Sequence, residues 1–313
     1  MAADNNNGGE SGVPGGGGCP GSAPGGGCPG SAACGIPEAQ TCGQSAPRSH
    51  VLAPNPQSAV KNVIAVMSGK GGVGKSAVTA LLAVTLARQG YKVGILDADL
   101  TGPSIPKIFG LHERPELEGE AILPVKTPVY GIGVISINLL LEHEDEPVIW
   151  RGPIIAGAIQ QFWTEVGWGG LDYLLVDLPP GTGDAPLSVM QFLPVGGVVM
   201  VTAPQDLAVL VVRKAVRMVR KLNIPILGFI ENMSYAVCPK CDENLELFGP
   251  SRAEKTADTT GLRLLARIPL DAGLSILSDR GEVEKYQTEV LAHLPAYMDE
   301  TMNRRFENPG MPS

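Results

Sequence analysis

No run in this 313-residue chain approaches about 18 uninterrupted apolar residues, so no transmembrane helix is expected. The N-terminus lacks a basic region leading into an apolar core and lacks an Arg-rich amphipathic pattern, which argues against a secretory signal or a transit peptide and for a cytoplasmic protein. The C-terminus has no basic amphipathic helix that would dock on a membrane, and the mixed charge of Glu289 to Phe306 reads as a packing helix. Positive charge is scarce. Lys and Arg number 24 against 32 Asp and Glu, a net charge of −8, which disfavours nucleic acid or an anionic membrane as main partner. No repeat of solenoid period is present. Large apolar residues are nearly missing from the first 50 positions, which hold 14 of the 40 glycines and four of the six cysteines. Such a segment buries too little surface to offset its ordering entropy, so residues 1–58 are expected to be a disordered Gly/Pro/Cys-rich tail ahead of one domain at 59–313. In a reducing compartment, clustered cysteines point to metal rather than disulfides.

What is present from Lys61 onward is an alternation of strand and helix patterns. Val63 to Met67, Lys92 to Asp97, Val129 to Ile137, Leu171 to Leu178, Gly197 to Ala203, Ile226 to Glu231 and Arg263 to Ile268 read as strands. Ala77 to Gln89, Ile154 to Val166 and Asp206 to Leu222 read as helices, the last with Asp206 as N-cap. This order predicts an α/β fold, a mostly parallel twisted sheet with helices on both faces and the ligand at the carboxyl ends of the strands.

The most specific motif is Gly69-Lys70-Gly71-Gly72-Val73-Gly74-Lys75-Ser76, which fills the G-x-x-x-x-G-K-[ST] pattern between a strand and a helix. Glycines let backbone N–H groups turn inward on a triphosphate, from Gly69 through Ala77. Lys75 reaches the β- and γ-phosphates, and the Ser76 hydroxyl can ligate Mg²⁺. Four apolar residues ending in Asp177 form a Walker B strand, whose carboxylate suits the Mg²⁺ shell. The Pro179-Pro180-Gly181-Thr182-Gly183-Asp184 loop behind it suits a γ-phosphate sensor, with Gly181 N–H aimed at the phosphate.

Lys70 is an extra lysine inside the loop, and G-K-G-G-x-G-K-[ST] resembles the deviant Walker A class of the nitrogenase iron protein, septum-site and plasmid-partition ATPases, and iron–sulfur cluster carriers. That resemblance implies a homodimer in which Lys70 acts on the partner's nucleotide as an arginine finger does. Asp97-Ala98-Asp99-Leu100-Thr101-Gly102-Pro103-Ser104 resembles the class's switch I, which gives Asp99 the role of positioning the attacking water and Asp97 a place beside Mg²⁺. Asn232, in Glu231-Asn232-Met233-Ser234, and Pro269 and Asp271, in Ile268-Pro269-Leu270-Asp271, resemble the adenine-contacting segments.

Cys238-Pro239-Lys240-Cys241 is the one cysteine pair in the domain, and two thiolates are too few to close a tetrahedral site. Two chains would supply four, enough for a bridging [4Fe–4S] cluster. A shared Cys₄ zinc remains the alternative, because spacing does not separate it from the cluster, whereas the missing thioredoxin context disfavours a redox disulfide. Together with Trp150-Arg151-Gly152-Pro153 and Thr202-Ala203-Pro204-Gln205, these motifs resemble the Mrp/Nbp35 family of iron–sulfur cluster carrier ATPases over about residues 60–290. The resemblance implies a slow homodimeric ATPase using ATP and Mg²⁺. It would carry a [4Fe–4S] cluster on Cys238 and Cys241 to apo iron–sulfur proteins. An electron-donating reductase, or a positioning ATPase with interfacial zinc, is the alternative. Two departures stand out. Pro250-Ser251-Arg252 replaces the family's glycine-rich turn, and Cys19, Cys28, Cys34 and Cys42 lack the close pair of the family's N-terminal cluster group, leaving a second cluster open.

Overall fold

The computed structural model describes residues 51–99, 102, 104–141 and 152–307. Cys19, Cys28, Cys34 and Cys42, together with Leu100, Thr101, Pro103, Trp150 and Arg151, lie outside the described residues. Twelve strands and eight α-helices follow one another here. They run β1 (Ser58–Ser68), α1 (Lys75–Arg88), β2 (Val93–Asp97), α2 (Ile105–Phe109), β3 (Leu117–Glu118), β4 (Ala121–Ile122), β5 (Val125–Lys126) and β6 (Gly133–Ser136). Then come α3 (Gly152–Thr164), β7 (Gly169–Asp177), α4 (Asp184–Phe192), β8 (Gly197–Thr202), α5 (Asp206–Lys221) and β9 (Ile226–Glu231). The chain closes with β10 (Ala236–Val237), β11 (Asn244–Leu245), α6 (Ala253–Thr260), β12 (Leu264–Arg267), α7 (Ala272–Asp279) and α8 (Leu294–Glu307).

Eight strands form one sheet in the order β12-β9-β8-β1-β7-β2-β6-β5, parallel throughout except for the edge strand β5. The long apolar runs of β1, β7 and β8 follow from burial on both faces, since a parallel sheet roofed by helices leaves no polar side. Alternation along β1 separates two cores. Ile64 and Val66 pack with residues of α1, α2, α7 and α8, whereas Val63, Ala65 and Met67 pack with residues of α3, α4, α5 and α6. Burying each such side chain contributes about 1.5–3 kcal/mol, and a one-residue slip of β1 would exchange the two sets.

The predicted α/β class and mostly parallel sheet hold. Three details differ. The stretch 129–132 is a turn closed by Gly131 at φ 65°, so the strand read as Val129 to Ile137 shortens to β6. Gln205, not Asp206, is the N-cap residue of α5. Residues 51–57, read as tail, are tied to the domain: Trp163 Nε1 donates to Leu52 O, Leu52 N donates to Phe192 O, and buried Asn55 donates to Glu165 O. Their short, Pro-interrupted sequence conceals this anchoring, to which Leu52 adds packing against the core. No helix among the described residues is long and apolar enough to cross a membrane.

Candidate functional site

The carboxyl ends of the central strands converge as the β-α order requires. The loop after β1 holds Gly69 to Gly74, and the register of the sheet sets Asp97, ending β2, directly beside Asp177, ending β7. Gly74 adopts φ 76° as N-cap of α1, and any Cβ there would run into the Asn232 side-chain amide. A Cβ on Gly69 would lie 2.6 Å from Val211 Cγ1. Both glycines are therefore required by conformation or close approach. The first backbone N–H groups of α1 then face the loop, the arrangement that binds a phosphate.

Lys75, Ser76, Asp97, Asp99 and Asp177 are brought together. Lys75 Nζ lies 2.8 Å from Asp177 Oδ2 and 3.6 Å from Asp99 Oδ2, and all three residues are buried. Ser76 Oγ donates to Asp177 Oδ2 at 2.5 Å. Thr79, one turn along α1, donates its hydroxyl to Asp177 Oδ1 at 2.7 Å. Nothing in the sequence marked Thr79, because a helical threonine is common. Its signal is position, three residues after the loop serine on the same helix face. Asp97 accepts from Ser136 Oγ at 3.1 Å and from Asp99 N at 3.2 Å. Burial, then the charge of Asp177, pushes the Asp97 carboxyl up to about 8, with Lys75 opposing. Lys75 thus sits among three buried acidic side chains. A divalent cation held by Ser76, Asp177 and Asp97 fits that donor set, hydroxyl and carboxylate oxygens being hard ligands.

Lys70 is engaged within its own chain, its Nζ donating to Gln205 Oε1 while its carbonyl accepts from Ser68 Oγ at 3.0 Å. The Thr202-to-Gln205 motif thus acquires a physical role as the resting partner of the extra lysine. Gly181 N–H donates to Ser68 O at 2.9 Å, so here it braces the loop rather than facing outward. Asn232 is buried, and its Nδ2 donates to Val73 O at 2.9 Å, which fastens the end of β9 to the phosphate loop. Pro269 lies one residue beyond the Ile268 N–H that bonds Glu231 O. Asp271 caps α7 by accepting from Gly273 N and also accepts from Tyr286 Oη.

Cys238 and Cys241 sit apart from this pocket, between the two short strands β10 and β11 of an antiparallel hairpin. Cys241 is exposed, and Cys238 is partly so. Backbone N–H groups of Lys240 and Cys241 aimed at the Cys238 sulfur hold its thiol below the usual range. That geometry favours a thiolate, the form that binds metal. Among the described residues, no three His, Cys, Asp or Glu side chains group to hold a metal ion, so the pair is an incomplete ligand set.

Residues 59–302 match the family model described as ParA: NUBPL iron-transfer P-loop NTPase. The chain belongs to that family. Within it, the chain is 46% identical over 238 residues to the iron-sulfur cluster carrier protein of Clostridium perfringens, covering 74% of this chain and 83% of that one. The carrier protein of Methanocaldococcus jannaschii is 50% identical over 226 residues, covering 72% and 78%. A solved nucleotide-binding protein in complex with ADP from Archaeoglobus fulgidus shares 49% identity with a TM-score of 0.67, over 74% of this chain and 90% of that one. The cell division ATPase MinD of Pyrococcus furiosus, at 23% identity and a TM-score of 0.55 over 77% and 99%, shows the shared fold. The resemblance to iron–sulfur cluster carrier ATPases read from the motifs is borne out, and the family is one of nucleotide-binding P-loop proteins.

Proposed function

We propose that this protein is an ATP-dependent iron–sulfur cluster carrier that holds a [4Fe–4S] cluster between two copies of itself and passes it to apo-proteins. The observation that carries this reading is the exposed Cys238–Cys241 hairpin, a half-complete thiolate set on a chain whose nucleotide pocket is otherwise fully furnished. Family membership favours carriage over the electron-donating reductase and over a positioning ATPase with structural zinc.

In this mechanism the backbone N–H groups from Gly69 to Ala77 bind the phosphates of ATP. Lys75 turns from Asp177 to the β- and γ-oxygens, and Ser76, Asp97 and Asp177 would hold a Mg²⁺ whose charge would offset that of the phosphates. Asn232, with Pro269 and Asp271 beyond it, flanks the base. Asp99 orients a water whose oxygen attacks the γ-phosphorus as the bond to the β–γ bridging oxygen breaks. Lys70, released from Gln205, reaches the partner's nucleotide and offsets charge developing on that bridging oxygen. Nucleotide state then sets the relation of the two copies, and with it the exposure of the cluster held by four thiolates, two from each chain.

The test is iron, sulfide and zinc content with an anaerobic absorption and EPR spectrum, for the wild type and for Cys238→Ala/Cys241→Ala. Near four irons and four sulfides per dimer, lost in the double variant, is the expected result. Zinc alone, or no metal after anaerobic reconstitution, would remove cluster carriage and leave a nucleotide-binding dimer.

A further inference from the structure

The residue before Asn232 has no part in the chemistry above, yet it is among the most heavily bonded side chains in the fold. Glu231 ends β9 with no exposed surface. Its Oε2 accepts from Ser234 Oγ at 2.5 Å and from Ser251 Oγ at 2.6 Å, and its Oε1 accepts from Arg252 N at 3.0 Å. Arg267, at the end of the neighbouring strand β12, lies 3.6 Å from Oε2 and donates to Ser234 Oγ at 2.7 Å. The guanidinium also rests 5.5 Å from the ring centre of Tyr235. A buried carboxylate is tolerated only when its acceptors are filled and its charge is opposed, and Glu231 meets both conditions.

The arrangement in the chain gives these bonds their meaning. Ser234 precedes, and Ser251 and Arg252 follow, the segment 235–250 that carries the cysteine hairpin. A single carboxylate therefore ties both ends of that sixteen-residue excursion to one point. Ser251 is bound on its other side as well, accepting from Ala253 N at 3.2 Å at the start of α6. The departure Pro250-Ser251-Arg252 thus supplies one donor that a glycine lacks, the Ser251 hydroxyl, beside the backbone N–H of Arg252. Immediately beside Glu231, the Asn232 amide grips Val73 O in the phosphate loop. Two adjacent residues of one strand end hold the phosphate loop and the base of the cysteine hairpin.

We infer that Glu231 is a positioning residue that couples nucleotide occupancy to the placement of Cys238 and Cys241, through the clasp it forms with Ser234, Ser251, Arg252 and Arg267. Occupancy of the phosphate loop displaces Val73 and Asn232, and the clasp transmits this to the hairpin as a rigid shift instead of letting it dissipate in a free loop. The inference deepens the carrier reading and rests on it only for its purpose, because coupling of this kind is measurable without a cluster.

The test uses the full-length, reduced, metal-free chain. Iodoacetamide alkylation of Cys238 and Cys241 is followed by peptide mass spectrometry, with and without saturating Mg·ADP. In the wild type the nucleotide should change the alkylation rate by about fivefold or more, the low end of typical inter-site coupling. Glu231→Gln keeps the size of the side chain but replaces one acceptor oxygen by a donor, and should bring that ratio close to one. Ser251→Ala removes a single bond from the clasp and should give an intermediate ratio while retaining its circular dichroism melt, so the inference stays testable should Glu231→Gln fail to fold. A wild-type ratio of one, or unchanged ratios in folded variants, would overturn the coupling. Iron content after anaerobic reconstitution of the same wild-type protein is the separate check of carriage: a chain that shows the nucleotide effect yet takes up no iron would keep the clasp and lose the carrier reading.

Discussion

The nucleotide pocket and the cysteine hairpin lie only a few residues apart in sequence at Asn232 and Cys238, yet they are built on opposite principles. In the pocket, Lys75, Asp97, Asp99 and Asp177 are buried on or beside central strands, and each carboxylate is fixed by a strand end, a helix or both. The hairpin consists of two strands of two residues each, with Val237, Leu245, Leu247 and Phe248 exposed around the cysteines. An isolated hairpin of that size has little stability of its own. The difference teaches that the buried acidic end of the pocket is finished within one chain, whereas the hairpin is held at its base and open at its tip. Exposed apolar side chains beside incomplete ligands suit a surface completed by a second copy.

The largest effect that would break this contrast is expected from Lys75→Ala. Removing the ammonium takes away the phosphate contact and the cation paired with buried Asp177. We expect ATP binding by calorimetry to weaken by at least about a hundredfold, and thermal stability to fall by on the order of 3 kcal/mol. A variant that binds ATP normally would show that the pocket is not finished in the way described.

A smaller effect concerns pH. Asp97 has its folded-state pKa raised, so its contribution to stability is complete below the unfolded carboxylate value near 4 and is lost as pH rises toward about 8. The melting temperature of the metal-free chain should therefore decline across that window. Asp97→Asn, or Mg·ADP, should flatten the decline. A wild-type curve parallel to that of Asp97→Asn throughout would show that Asp97 does not carry the shift.

The smallest change is expected at the hairpin. Cys238→Ala in the metal-free monomer should leave the midpoint of chemical denaturation nearly unchanged, because the side chain is only partly buried. The same change should abolish metal binding and weaken self-association measured by sedimentation. A large loss of monomer stability would mean that the hairpin is integral to the fold and would erase the contrast.

The same contrast explains what could be read from residue order. The phosphate loop, the Asp177 strand and the Cys-Pro-Lys-Cys pair are local patterns, each with its chemistry in consecutive residues, and the parallel sheet followed from strands alternating with helices. Thr79 on Asp177, Gln205 on Lys70, and Ser251 and Arg267 on Glu231 were not legible, because each partner is a common polar residue brought close by the fold from twenty or more positions away. The short helix α2 was missed because five residues give too little periodicity to recognise. The turn at 129–132 was read as strand because Val129, Tyr130 and Ile132 are β-favouring residues around a single glycine.

The position of β1 has a consequence for how the protein is made. Among the described strands it is translated first, and both of its sheet neighbours come late: β7 starts at Gly169 and β8 at Gly197. At about 5–20 residues per second, a strand with the apolar run Val63 to Met67 emerges from the ribosome roughly 5–20 s before the first of its neighbours. During that interval the nascent chain presents the unpaired backbone and apolar side chains that favour misassociation. Chaperone occupancy on translating ribosomes should accordingly rise once β1 has cleared the exit tunnel and fall after Asp177 has done so.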